Sequence, residues 1–117
     1  MSVLISNYQF KSKNRVKTFS FYSFLFDSDI SQDHNGVDFL DINGVKFYFD
    51  ENYSNNLISP MFSFILPSEA EFKNFKNKVN LAFYKEGAKA KILKDTPHCF
   101  EFNDLDDNPL RIEYLSI

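Results

Sequence analysis

Lys46 and Arg111 stand at matching places in two seven-residue stretches that echo one another. Asn43-Gly44-Val45-Lys46-Phe47-Tyr48-Phe49 and Asn108-Pro109-Leu110-Arg111-Ile112-Glu113-Tyr114 agree in type, position by position. Each runs turn residue, breaker, apolar, cation, apolar, polar, apolar. That is a turn feeding a half-buried strand whose side chains alternate between two faces. Two cations at equivalent, same-facing positions would grip anionic groups through charge-assisted hydrogen bonds. They would also repel a divalent ion, which wants oxygen donors. The stretches begin 65 residues apart, at Asn43 and Asn108, so the chain reads as two similar modules in tandem.

Other reactive groups are sparse. His34 lies in a polar loop and His98 follows Pro97 at a strand start, and neither is paired in sequence with a nucleophile. Cys99 is the single cysteine, which excludes an internal disulfide and a cysteine-based zinc site. Its neighbours read as a buried strand, so an inert thiol is expected. Asp104, Asp106 and Asn108 start like a calcium loop, but Pro109 replaces the glycine at the sixth position and Leu115 the bidentate glutamate. A turn is the better reading. With only three glycines, no phosphate-cradling loop is present.

The elements that must position these residues follow from periodicity. The 117 residues suit one domain, with module one at 1–52, a linker at 53–60 and module two at 61–117. Fifteen Phe and six Tyr, with no Trp, point to an interior filled by phenylalanine. Val3 to Phe10 alternates as a strand. Asn14 caps a helix over Arg15–Phe26 that is apolar nearly all round and needs cover on more than one side. A short edge strand and loop occupy 27–36. Val37–Ile42 and Val45–Phe49 form a hairpin around Asn43-Gly44. In the second module Met61–Leu66 is a strand, and Ser68 with Glu71 opens a helix that Gly87 ends. Strands are expected over 88–93, around Phe100 and Phe102, and from Leu110 to Ile117. Each module is therefore strand, helix, strand, strand, strand, an α+β design.

The net charge of −3 lacks the basic footprint of a nucleic-acid binder, and the lysines between Lys73 and Lys94 read as a solvated face. No apolar run is long enough to span a membrane, and Met1–Phe10 does not read as a signal peptide. A cytoplasmic location is expected.

In this order and spacing the chain resembles the vicinal oxygen chelate superfamily, which includes glyoxalase I, extradiol dioxygenases and bleomycin-resistance proteins. Phe21-Tyr22 follows Asn7 as Phe-Tyr does in the family's first helix. Asp104-Leu105-Asp106-Asp107-Asn108 looks like its Asp-Pro-Asp-Gly-Asn turn, and Pro109-Leu110-Arg111-Ile112 follows as its last strand does. The resemblance implies tandem βαβββ modules forming a curved mixed sheet around a concave pocket, and a two-fold homodimer. It also implies four metal-ligand positions, which fall on Asn7, Lys46, Met61 and Arg111. None suits a divalent ion there, so no metal and no cofactor is expected.

The functional expectation is a metal-free protein that binds a small polar or aromatic ligand, anionic ones included, in the manner of bleomycin-resistance proteins. Asn7, Gln9, Lys46, Tyr48, Met61, Ser63, Arg111 and Glu113 are its candidate lining. Three rivals stand beside it. Arg111 could pair with Glu113 or Asp50 over a pocket filled by aromatics. A metal-dependent lyase or dioxygenase would need ligands such as Glu113 or His98. A protein-interaction factor would look no different in sequence.

Overall fold

Alternating aromatic and polar residues, punctuated by tight turns, dictate the local structure. The structure is a computed structural model and describes residues 7–52 and 60–116. The expected strand residues Val3–Ser6, the linker residues 53–59 and Ile117 lie outside the described residues. Contacts divide the chain into two compact units, Met1–Leu57 and Ile58–Ile117. No described helix is long and apolar enough to cross a membrane.

The first unit contains β1 (Asn7–Lys11), α1 (Arg15–Phe26), β2 (Ile30–Gln32), β3 (Asp38–Ile42) and β4 (Val45–Asp50). Its sheet order is β1-β4-β3-β2, with β1 parallel to β4 and the other pairs antiparallel. Asn14 caps α1 as predicted: its side chain accepts the Lys17 N–H at 3.2 Å. The hairpin forms where Asn-Gly demands it, with φ of 51° at Asn43 and 85° at Gly44, the left-handed pair of a type I′ turn. Phe10, Phe47 and Phe49 point to the helix side, where Phe10 meets Tyr22 at 5.2 Å and Phe19 meets Phe49 edge-on at 4.9 Å. Edge-to-face and tilted pairs of this kind add about 0.5–1.5 kcal/mol each to the gain from burial. Buried Ser12 and Thr18 satisfy one another across 2.7 Å and fasten the connecting loop to the helix.

The second unit contains β5 (Phe62–Leu66), α2 (Glu69–Lys85), β6 (Lys91–Asp95), β7 (Cys99–Asn103) and β8 (Pro109–Tyr114). Its order, β5-β8-β7-β6, repeats the first, again with the first strand parallel to the last. Ser68 caps α2 by accepting the Glu71 N–H at 3.2 Å. At the other end Ala88 N–H reaches Phe83 O at 2.9 Å and Gly87 N–H reaches Tyr84 O at 3.0 Å, a Schellman motif with Gly87 at φ +66°. That motif corrects the strand expected from Ala88. Residue 88 is still tied to the helix end, so β6 begins only at Lys91. Phe72, Phe83, Phe100, Phe102, Leu110 and Ile112 form the unit's buried interior. The architecture is α+β, two helices on two four-stranded mixed sheets, as tandem βαβββ modules require.

The Asp104 turn is a hydrogen-bonded closure rather than an ion loop. Asp104 Oδ1 accepts the N–H groups of Asp106 (2.8 Å) and Asn108 (2.9 Å), and Oδ2 accepts Asn108 Nδ2 (2.8 Å). Asp104 and Asn108 are both wholly buried, so the carboxylate is consumed by its own loop.

Candidate functional site: the open faces of the two sheets

Because side chains alternate along a strand, burying Phe10, Phe47 and Phe49 under α1 turns Asn7, Gln9, Lys46 and Tyr48 to the other face of the first sheet. The parallel register sets Asn7 beside Lys46 and Gln9 beside Tyr48. Phe39, from β3, floors this face and was not singled out in the sequence. The Lys46 ammonium lies 5.0 Å from its ring centre and the Tyr48 ring 5.7 Å from it. The loop after β2 closes over the same face, where Tyr48 O–H donates to Asp33 Oδ2 at 2.9 Å. Hydrogen bonding from the Val37 N–H, joined by Tyr48, Asn35 and the charge of His34, outweighs partial burial and holds Asp33 below the usual carboxylate range. The same bond to Asp33 is the main cause that raises Tyr48 above an ordinary phenol. Gln9 and Tyr48 also line a hollow of about 240 Å³ with Arg15, Val37, Phe49 and Asp50.

In the second unit Ser63, Arg111 and Glu113 share the face away from α2. Met61 precedes β5 rather than lying in it. The residue beside Arg111 is Ser63, so Ser63 and not Met61 holds the place that Asn7 holds beside Lys46. Arg111 is clamped. Its Nε lies 2.8 Å from Glu113 Oε1, and its Nη1 lies 3.7 Å from Glu101 Oε2. Cys99 is buried on the same face, its Sγ 3.7 Å from Glu101 Oε2. At the alkaline pH where a guanidinium would titrate, the charge on Cys99 and then that on Glu113 hold the Arg111 proton more tightly than usual. The expectation that Arg111 pairs with Glu113 therefore describes the structure, while Asp50 instead accepts the Asn52 N–H at 2.8 Å. Glu101 was missed because only the β7–β8 register, which sets it opposite Arg111, reveals it.

These residues do not suit a resident divalent metal. The places in question carry an amide, an ammonium, a hydroxyl and a guanidinium at Asn7, Lys46, Ser63 and Arg111. Two of the four are fixed cations, and a hard ion needs oxygen donors in their stead. Among the described residues, no group of three or more His, Cys, Asp or Glu is placed to hold a metal. His98 is committed elsewhere, its Nδ1 3.1 Å from Tyr114 Oη.

No family model and no curated protein matches the sequence. Solved structures do. The fosfomycin resistance protein FosX from Listeria monocytogenes, crystallised with Mn(II) and sulfate, aligns with a TM-score of 0.73 at 15% identity, over 100% of this chain and 93% of that one. FosX from Mesorhizobium loti gives 0.73 at 13% identity, over 100% and 95%. Lactoylglutathione lyase from Agrobacterium tumefaciens gives 0.63 at 13% identity, over 97% and 94%. These proteins are members of the vicinal oxygen chelate superfamily. This chain has the vicinal oxygen chelate fold. Within that fold, its own departure is a lysine and an arginine on the last strand of each module, where the resemblance implies carboxylate ligands.

Proposed function

We propose that this is a metal-free small-molecule-binding protein on a vicinal oxygen chelate fold, resembling bleomycin-resistance proteins in holding a ligand rather than transforming it. One observation carries the reading: Lys46 and Arg111 stand at register-equivalent positions on the open faces of their sheets, beside Asn7 and Ser63. Fixed positive charge there opposes a divalent ion and leaves polar groups on aromatic support. Asn7, Gln9, Lys46 and Tyr48 over Phe39 offer an amide pair, a cation and a ring edge, which suits a polar or aromatic molecule. In the second unit Glu101 and Glu113 outnumber Arg111, so attraction for an anionic ligand group rests on Lys46 alone. Assembly as a homodimer in the cytoplasm belongs to the same proposal.

Purified protein incubated with Mn(II), Ni(II) or Zn(II) and then desalted is expected to retain well under one metal per chain. Stoichiometric metal would overturn the reading and favour an enzyme. A thermal-shift screen of polar aromatic compounds is expected to give hits that Lys46→Ala weakens. The Arg111–Glu113 bond favours a second reading, in which the face of the second sheet is knit for stability alone. On that reading Arg111→Ala lowers stability and changes no ligand response.

A further inference from the structure

A second hollow, of about 520 Å³, lies on the opposite side of the first sheet from Lys46. Its position follows from register. Ile30 pairs with Leu40, and Leu40 with Phe47, so Ile30, Leu40 and Asp38 share the helix-covered face. The outer residues of α1 supply the other wall. Val16, Phe19 and Ile30 form its apolar lining, and Asp38 and Glu51 line it as well. Val16 and Ile30 are 81% and 52% exposed, large apolar surfaces left to solvent at the mouth of the hollow. The volume falls within the range of small-molecule sites, about 300–1,000 Å³.

The charges decide what would enter. Arg15 is the single cation among the described lining residues, against the carboxylates of Asp38 and Glu51. Both lining carboxylates are oriented by the fold. Arg15 N–H donates to Glu51 Oε2 at 3.2 Å, and Gln32 Nε2 donates to Asp38 Oδ1 at 3.1 Å. Each keeps acceptor capacity, since an ionised carboxylate has about four lone-pair sites.

We propose that this hollow binds an organic cation, a protonated amine borne on an apolar or aromatic body. The ammonium is held by Asp38 and Glu51, and the body covers Val16, Phe19 and Ile30. The site is separate from the open-face residues of the proposed function and stands or falls independently of them.

The test is calorimetric titration of the full chain with 1-naphthylmethylamine, a cation at neutral pH, and with 1-naphthylacetate, an anion of similar shape. The amine is expected to saturate one site per chain, and the acetate to bind at least about tenfold more weakly. The double variant D38N/E51Q keeps both hydrogen-bond acceptors and is expected to lose about tenfold in amine affinity. Ser20→Trp, which fills the hollow without touching charge, abolishes binding. Acetate binding that Ser20→Trp abolishes and that equals or exceeds the amine's, no saturable amine binding, or an amine affinity indifferent to D38N/E51Q or to Ser20→Trp overturns the proposal.

Discussion

Lys46 and Arg111 occupy the same strand position in two units of the same topology, yet their surroundings are opposite. Lys46 rests its ammonium over the Phe39 ring, while Arg111 is held between Glu113 and Glu101. A repeated backbone register therefore fixes where a side chain points and leaves its electrostatic setting open. In the first unit that setting comes from Phe39 on the neighbouring strand β3; in the second it comes from Glu101 on β7 and from Glu113 on β8 itself. In the first sheet the cation is half-buried over a ring, with Asp41 at the facing position of β3. The second has already neutralised its own.

The comparison can be broken first at the level of packing. Phe47 and Phe102 are both fully buried, one in each unit. Truncation of either to Ala is expected to cost about 3–5 kcal/mol in urea titrations. Strongly unequal losses would show that the two interiors are not equivalent, despite their shared strand order.

A second contrast lies in two loops with one hydrogen-bond pattern. Asp33 Oδ1 accepts the N–H groups of Asn35 (2.9 Å) and Val37 (3.0 Å), just as Asp104 Oδ1 serves Asp106 and Asn108. Asp104 is buried, so Asp104→Ala strands donors away from water and is expected to cost about 2–4 kcal/mol. Asp33 lies in a solvated loop, and its replacement costs less. Its signature is pH dependence instead. The folded Asp33 carboxyl is depressed by the Val37 N–H first, so the unfolded chain takes up the proton at higher pH. Its stabilisation is present above the unfolded carboxylate value, about 3.9, and is lost as pH falls through the lower folded value. Asp33→Asn is expected to flatten acid unfolding in that window.

Arg111→Ala leaves Glu101 and Glu113 facing one another and is expected to lower the melting temperature, with partial rescue by E101Q/E113Q. Lys46→Ala, which removes only a cation over a ring, shifts it less. The reverse order would sink the contrast between the two cations. The smallest expected effect tests a likeness: Asn14→Ala and Ser68→Ala should each cost about 1 kcal/mol, because each removes one helix cap of the same kind.

What could be read from the sequence was local. Asn43-Gly44, the Asn14 and Ser68 caps and the Gly87 stop all act within a few residues, and each stands where its chemistry places it. Alternation was legible too, so the shared faces of Asn7, Gln9, Lys46 and Tyr48, and of Arg111 and Glu113, follow from parity. The substitution of Ser63 for Met61 beside Arg111 was not legible, because it depends on a parallel register between strands far apart in sequence. The Glu101 contact, the Phe39 floor and the hollow at Arg15 were hidden for the same reason. Each is made by segments that only the fold brings together.

The order of strands in each sheet also governs how a unit assembles. Three consecutive strands make an antiparallel meander that can zip from its turns, whereas β1 must find β4 across roughly forty positions with a helix between them. Closing that long arc is the entropically expensive step in each half. Asn7 and Gln9, in the first half of the proposed binding face, sit on the strand that makes this long-range pairing. That face is complete only once the first strand has closed on the last.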